Sequence, residues 1–217
     1  MPVRRIPKSY TSLTGFHGRE PGSRRIGFES SLERDFVTLM LFDPDFEKIE
    51  EQPVRIFYQD ADSGRRRHYT PDFLVHRKST PTLLVEVKPE SELERLFAEL
   101  KPKFDAAHRY TAREGYAFEV WTEQDIRTDR LKNARFLLPF RDKKANPGFC
   151  EVIEKYVSQS GPSSATKIIT ACWNVEEDRA RGLSTLWHLL ACGRIAANLD
   201  AEIHMDTPLT RKEGSHV

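Results

Sequence analysis

Cysteine is scarce in this sequence, and long apolar runs are missing. The three cysteines, Cys150, Cys172 and Cys192, form no CxxC pair, which excludes a zinc or iron–sulfur site of that type and offers no disulfide framework. No segment approaches the roughly 20 apolar residues of a membrane span, and the basic N-terminus lacks the apolar stretch of a secretory signal. We therefore expect a soluble, cytoplasmic protein with no membrane partner.

An excess of charge of one sign is also missing, since 34 basic residues face 33 acidic ones. Any attraction to nucleic acid must therefore come from local patches. One basic patch is the N-terminal segment with Arg24 and Arg25, and another is the run Arg65, Arg66 and Arg67. We predict that these arginines contact phosphates, although the second run is also typical of a solvated hairpin face.

The 217 residues, of which 38% are hydrophobic, suffice for one ordinary domain or two small ones. Residues 1–27 show little periodicity and predict a basic N-terminal arm. A helix should begin after Ser30, whose hydroxyl can cap it, and end at Asp43-Pro44. Its apolar face consists of Leu32, Phe36, Leu39 and Met40. Glu33 then lies in the first helical turn.

Alternating apolar and polar residues, and over 82–87 an almost wholly apolar run, predict the elements of a mixed sheet. Strands are expected over 54–58, 67–70, 73–76, 82–87 and 116–121, with a further edge strand over 135–140. Helical patterns cover 91–112, where Pro102 would kink or split the helix, and 123–129 as a short helix or turn. The order of helix, antiparallel strands, helix and strand predicts an α/β fold in which helices flank a mixed sheet.

The pattern changes at the polar segment 143–148, and we place a domain boundary there, with one domain over 28–145 and a second over 146–217. In the second domain, helices are predicted over 149–158, 165–173 and 182–193, and the extended segment 194–209 could form a two-stranded wing. We therefore expect a small helical, winged-helix-like C-terminal domain.

Asp72, Glu86 and Lys88 form the pattern with the clearest chemistry. Asp72 starts one predicted strand and Glu86 ends the next, so antiparallel pairing through the turn at 78–81 would bring the carboxylates together. Glu86 and Lys88 are two residues apart and project on the same side of their strand. Carboxylates, with the Val87 carbonyl, can hold Mg²⁺ against a phosphate, while a lysine orients water and offsets charge. The sequence therefore predicts metal-dependent phosphodiester hydrolysis.

Each part of this pattern also has a plain structural interpretation. A Pro-Asp pair often makes a turn, and Glu-x-Lys on a strand is often a solvated ion pair. Here, however, the charges end a strand whose other residues are apolar, and burying them without a partner or a metal would be costly. The combination in this order therefore favours a functional site.

A series of short motifs extends the pattern. They are Ser31-Leu32-Glu33-Arg34-Asp35, Phe42-Asp43-Pro44, Glu50-Glu51-Gln52-Pro53, Tyr69-Thr70-Pro71-Asp72-Phe73 and Val85-Glu86-Val87-Lys88-Pro89. In this order, over residues 24–140, they resemble the TnsA family, the endonuclease subunit of heteromeric cut-and-paste transposases. The resemblance implies a restriction-endonuclease-like, PD-(D/E)xK fold.

The resemblance also implies the site residues, with a catalytic set of Glu33, Asp72, Glu86 and Lys88. Mg²⁺, for which Mn²⁺ could substitute, would be held by the three acids and the Val87 carbonyl. Glu33 has a structural alternative, because a glutamate in a first helical turn stabilises the helix dipole without any metal. Gln52 could support the metal ligands by hydrogen bonding or merely begin a strand.

The partners implied by the resemblance are double-stranded DNA at transposon ends, a TnsB-like DDE transposase and a TnsC-like AAA+ regulator. The implied reaction is hydrolysis of the 5′ strands, leaving 5′-phosphate and 3′-hydroxyl ends. Residues 151–217 hold seven basic and nine acidic residues. That balance favours a protein contact, with the regulator, over phosphate binding by 146–217. A free-standing restriction or repair nuclease and a non-catalytic docking subunit are the alternatives.

Overall fold

The computed structural model describes residues 26–60 and 63–212, together with the backbone of residues 15–17. The chain divides into two compact units, Met1–Arg127 and Thr128–Val217. Within the described residues, no helix combines the length and the apolar character needed to cross a membrane.

The first unit is built around a mixed sheet. Its elements are β1 (Gly15–His17), β2 (Ile26–Phe28), α1 (Ser31–Phe42), β3 (Phe46–Glu51), β4 (Ile56–Gln59), β5 (Arg66–Tyr69), β6 (Phe73–Arg77), β7 (Leu83–Val87), α2 (Glu90–Arg95), α3 (Phe97–Glu114), β8 (Ala117–Trp121) and α4 (Glu123–Ile126). The sheet order is β3-β6-β7-β8, in which only the β7–β8 pair is parallel. Strands β4 and β5 form a separate antiparallel hairpin, which we call the ribbon, and β1 pairs with β2.

Helix α1 begins where the sequence predicts and covers one face of the sheet. The Ser30 hydroxyl accepts a hydrogen bond from the Glu33 N–H at 3.1 Å. The fully buried Phe36 stacks on Phe73 of β6 and meets Trp121 of β8 edge-on, with ring centroids 5.4 and 5.2 Å apart. This packing fixes the start of α1, with Glu33, relative to the strands.

The opposite face of the sheet is covered by α3 and the ribbon. Phe104 of α3 packs against Phe118 of β8, with ring centroids 5.7 Å apart. The ribbon, β7 and α3 share one buried cluster, formed by Ile56, Tyr58, Tyr69, Leu84, Ala106 and Ala107. Because side chains alternate along a strand, Glu86 projects to the same face as Leu84. The predicted α/β sheet with helices on both faces is confirmed.

Two details of the first unit differ from the prediction. The patterns do not predict β3, an edge strand that contains Glu47, Lys48, Glu50 and Glu51. The helical segment over 91–112 breaks at Leu96, and Pro102 lies inside α3. Charged residues are common on edge strands because they discourage pairing with other chains, and they also weaken the sequence signal of a strand.

The second unit contains α5 (Asp129–Arg141), α6 (Pro147–Ser160), β9 (Ser163–Ser164), α7 (Ala165–Cys172), α8 (Glu176–Ala191), β10 (Ile195–Ala196) and β11 (Pro208–Arg211). The strands form an antiparallel sheet in the order β10-β11-β9. Helices α6, α7 and α8 with the β10–β11 wing give the small helical, winged-helix-like domain that the sequence predicts.

Helix α5 differs from the sequence-based expectation in two respects. Residues 135–140, predicted as an edge strand, are helical, and α5 belongs to the second unit although the predicted boundary lies after it. The buried Asn133 explains the second difference. Its amide donates to the carbonyl oxygens of Leu199 and Ala201 at 2.9 and 2.8 Å and accepts from the Ile203 N–H at 3.0 Å.

Candidate active site

Three strands of the sheet bring the predicted site residues to one end. Strands β6 and β7 pair with Phe73 opposite Val85, so the next position in this register sets Asp72 opposite Glu86. Residues opposite each other in antiparallel strands point to the same face. Gln52, which follows β3, donates its N–H to the Asp72 carbonyl at 2.7 Å. The register therefore places Gln52, Asp72 and Glu86 in one row across the sheet.

The Asp72 carboxylate contacts the backbone of β7. Its Oδ2 accepts a hydrogen bond from the Val87 N–H at 2.8 Å. The N–H and C=O of a strand residue point to the same edge of the strand. The Val87 carbonyl therefore faces Asp72 as well, on the side where the predicted metal ligand is needed.

Glu86 is the most buried acid of the site, with 5% of its surface exposed. Its Oε2 accepts a hydrogen bond from the Tyr69 hydroxyl at 2.9 Å, and its Oε1 lies 3.2 Å from the Lys88 Nζ. Burial and the charge of Asp72 raise the pKa of Glu86, while Lys88 and Tyr69 act in the opposite direction. Glu86 is thus held in place at both oxygens.

Tyr69 is a site residue that the sequence analysis does not single out. It lies on the buried side of the ribbon, and burial together with the charges of Glu86 and Asp72 raises its pKa. The phenol therefore keeps its proton and can only donate to Glu86. A signal was present, because Tyr69 begins the Tyr69-Thr70-Pro71-Asp72-Phe73 motif.

Lys88 is the cation of the site. Burial alone would lower the pKa of Lys88, but the charges of Glu86 and Asp72 outweigh burial and raise it above its ordinary range. The ammonium therefore stays protonated beside the carboxylates. In this state it can offset negative charge on a substrate.

Glu33 approaches the site from the first turn of α1. Its Oε2 accepts a hydrogen bond at 2.7 Å from the N–H of Glu29, the residue before the N-cap Ser30. Burial and the charge of Asp72 raise the pKa of Glu33, so the two carboxyls share one electrostatic environment. Gln52 connects Glu29 with Asp72, since its side-chain amide donates to the Glu29 Oε1 at 3.0 Å and its backbone N–H donates to the Asp72 carbonyl at 2.7 Å.

Acids predominate among the described residues of the site. Three carboxylates, Glu33, Asp72 and Glu86, lie there with the ammonium of Lys88. Carboxylate and carbonyl oxygens are ligands for Mg²⁺, and a divalent cation fits both the charge and the chemistry of this donor set. In the described parts of the chain, no group of three or more His, Cys, Asp or Glu is arranged to hold a metal ion as it stands.

Asp35 is a second buried acid of α1, and its surroundings are different. It is 2% exposed, and its carboxylate pairs with Arg34 at 3.0 Å and with Arg127 at 3.3 Å. Arg127 also donates to the Ser31 hydroxyl at 3.1 Å. These contacts tie α1 to the end of α4 and compensate the buried charge.

The arginines predicted to contact DNA fall into two groups. Arg24 and Arg25 lie outside the described residues. Arg65, Arg66 and Arg67 are exposed in or beside β5 of the ribbon. The Arg67 guanidinium pairs with Asp60 at 2.8 Å, whereas that of Arg66 lies 4.2 Å from the Phe57 ring centroid.

A mixed sheet whose antiparallel strands end in paired acids and a lysine, with helices on both faces, defines a restriction-endonuclease-like protein. Residues 43–123 match the family described as TnsA-like endonuclease N terminal. These residues are similar to the TnsA-like endonuclease family, which confirms the resemblance seen in the motifs. The match includes Asp72, Glu86 and Lys88 and excludes Glu33. Comparison with curated proteins gave no match. The family implies nuclease activity on DNA in Tn7-type transposition.

Proposed function

We propose that this chain is a metal-dependent DNA endonuclease subunit that hydrolyses the 5′ strands at transposon ends, alongside a DDE transposase, during cut-and-paste transposition. The observation that supports this most directly is the arrangement of Asp72, Glu86 and Lys88 at one end of the sheet. Asp72 lies opposite Glu86 in the strand register, and Lys88 contacts Glu86 at 3.2 Å. The TnsA-like domain contains all three residues.

In this proposal Asp72, Glu86 and the Val87 carbonyl hold Mg²⁺. Glu33 joins them when its carboxylate turns away from the Glu29 N–H. A bound divalent cation polarises the scissile phosphate and lowers the pKa of a water molecule. Mn²⁺ prefers the same oxygen ligands and should substitute.

The other residues of the site orient the carboxylates and offset negative charge on the phosphate. The Lys88 ammonium offsets the charge that develops on the pentavalent phosphate. Tyr69 fixes the orientation of Glu86 through its hydrogen bond, as residues behind a ligand commonly do. Gln52 holds the Asp72 backbone, so both carboxylates keep their positions before substrate arrives.

The second unit serves partner binding in this proposal. Residues 151–217 carry more acidic than basic residues, which disfavours a phosphate contact. We assign 146–217 to a contact with a TnsC-like AAA+ regulator, while a TnsB-like DDE transposase cuts the opposite strands.

The test is strand-specific nicking of transposon-end DNA by the purified full chain with Mg²⁺, with and without its DDE transposase. We expect 5′-strand nicks only when the transposase is present. Asp72→Ala and Lys88→Ala should abolish these nicks and leave the cut of the other strand, while Glu47→Ala, at an exposed acid of β3, should cut normally. Strong cutting by the chain alone would favour a free-standing nuclease, and unchanged nicking by both site variants would favour a docking role.

A further inference from the structure

The outer face of the ribbon combines an exposed aromatic ring with basic side chains. Phe57 of β4 is 53% exposed. The Arg66 guanidinium lies 4.2 Å from the centroid of the Phe57 ring, and the centroid of the His68 ring lies 6.2 Å from that of Phe57. The hairpin register pairs Phe57 with His68, so these three side chains share one face.

The two faces of the ribbon use their arginines differently. On the inner side, the Arg67 guanidinium forms an ion pair with Asp60 at 2.8 Å. On the outer side, Arg66 stacks on Phe57. Stacking engages only the flat face of a guanidinium, whose N–H donors lie in its plane and match a phosphate.

The charge of the ribbon suits a polyanion. Residues 54–69 contain Arg55, Arg65, Arg66 and Arg67 against Asp60 and Asp62, whereas the whole chain is nearly neutral. A two-stranded ribbon also has dimensions that the major groove of duplex DNA admits. Both properties favour DNA over a protein as the occupant of this face.

The ribbon is also continuous with the active site. Tyr69, on its inner face, donates to Glu86, and Asp72 follows Arg66 by six residues. Six extended residues span at most roughly 20 Å. At 3.4 Å per base pair, a contact made by Arg66 would lie within about six base pairs of the cut.

We infer that the outer face of the ribbon, formed by Phe57, Arg66 and His68, binds the duplex that flanks the scissile phosphate. Arg66 binds a backbone phosphate, and Phe57 packs against the wall of the groove. This inference rests on the proposed function and names the surface by which the nuclease holds its substrate.

The experiment measures binding of the full chain to a fluorescent 30-base-pair duplex of mixed sequence, by anisotropy, in EDTA and over a range of salt. EDTA removes cleavage from the measurement. Phe57→Ala and Arg66→Ala test the outer face. Arg67→Ala is the matched control, because it removes the same charge one residue away on the inner face. Thermal melting of each variant verifies the fold.

We expect Arg66→Ala to weaken binding about five- to tenfold at 0.1 M salt and to lower the salt slope by about one, as for the loss of one phosphate contact. Phe57→Ala should weaken binding severalfold with an unchanged slope, because phenylalanine carries no charge. Arg67→Ala should have a clearly smaller effect than Arg66→Ala.

The inference is overturned if the wild-type chain does not bind the duplex, if Arg66→Ala and Arg67→Ala weaken binding equally, or if both outer-face variants bind like wild type. Its failure is separable from that of the proposed function. Nicking that depends on Asp72 but is insensitive to both outer-face variants would remove only the inference. Face-specific binding by a chain that never nicks would remove only the nuclease proposal.

Discussion

The two units bury polar side chains for different purposes. In the first unit, the fully buried polar groups include two acids, Asp35 and Glu86. Among the described residues of the second unit, they are uncharged: Asn133, Ser163 and Thr185. A buried amide that is hydrogen-bonded on all sides stabilises a fold, whereas a buried charge is costly unless it is well compensated.

The two buried acids of the first unit sharpen this contrast. Asp35 has two arginines as partners, and its carboxylate anchors α1. Glu86 has one lysine but shares its surroundings with Asp72, and its pKa is raised. This arrangement therefore lowers the stability of the metal-free protein. It also brings together oxygen atoms that can bind a cation.

Substitutions of Glu33 should have the largest effect. They test whether Glu33 binds the metal or only stabilises the start of α1. Glu33→Gln keeps an oxygen that can accept the Glu29 N–H but removes the charge, and Glu33→Ala removes both. If Glu33 helps to hold the metal, both variants should lower 5′-strand nicking by about 100-fold or more, because a metal supplies several kcal/mol of charge stabilisation. Strand-specific nicking rates at saturating Mg²⁺ measure this.

A purely structural Glu33 would behave differently. The glutamine variant would then nick like wild type, and only the alanine variant would lose stability, by roughly 1 kcal/mol for a lost hydrogen bond. Thermal melting of both variants separates the two results.

A smaller effect is expected from Tyr69→Phe. This change removes one hydroxyl and with it the hydrogen bond to Glu86. We expect a loss of about 10- to 100-fold in metal affinity or activity, as is usual for groups that orient a ligand. Tyr58→Phe is the control, since Tyr58 is buried on the same side of the ribbon within the same cluster. Equal Mg²⁺ affinities for the two variants, in titrations followed by thermal shift, would show that Tyr69 has no positioning role.

Local signals explain which parts of the site the sequence reveals. The Ser30 cap, the short apolar segments of β6 and β7 and the turn between them are all encoded within a few residues. The pairing of Asp72 with Glu86 follows from them, and so does the position of Lys88.

The remaining features depend on contacts between distant segments. The bond from Tyr69 to Glu86 exists because the ribbon packs on α3 and the sheet, which no local pattern specifies. Helix α5 is misread because 135–140 is a short apolar run around Pro139, without a helical stripe. Its environment is decided by Asn133, whose partners lie about 70 residues away.

In the second unit, Asn133→Ala tests whether a buried, hydrogen-bonded amide stabilises the fold. The change removes three part-buried hydrogen bonds of the buried Asn133 side chain. We expect a loss of about 1–3 kcal/mol in the free energy of unfolding of that unit. His204→Ala, at an exposed position of the same loop, should change stability by less than about 0.5 kcal/mol. Urea denaturation measures both changes. A lower Mg²⁺ affinity of Asn133→Ala would contradict the view that metal binding depends on the first unit alone.

The smallest effect concerns the pH dependence of stability in the metal-free protein. Burial and Asp72 raise the pKa of Glu86 from 4.5 to about 8 and that of Glu33 to about 7. When an acid has a higher pKa in the folded state, the folded state holds more protons between the two values. The free energy of unfolding then falls as pH rises through that interval. Stability in EDTA should therefore receive a falling contribution from these acids between pH 4.5 and 8.

Glu86→Gln isolates this contribution, because glutamine has no charge to bury and retains an oxygen for the Tyr69 hydroxyl. Its stability relative to wild type, from urea denaturation in EDTA, should increase steadily from pH 4.5 to about 8 and then level off. Glu47→Gln, at an exposed position of β3, should show a constant difference. If the stability difference between Glu86→Gln and wild type does not change with pH, ionisation of the buried acids does not destabilise the folded protein. Added Mg²⁺ should oppose the fall in wild type more than in the variant, because only ionised carboxylates bind it well.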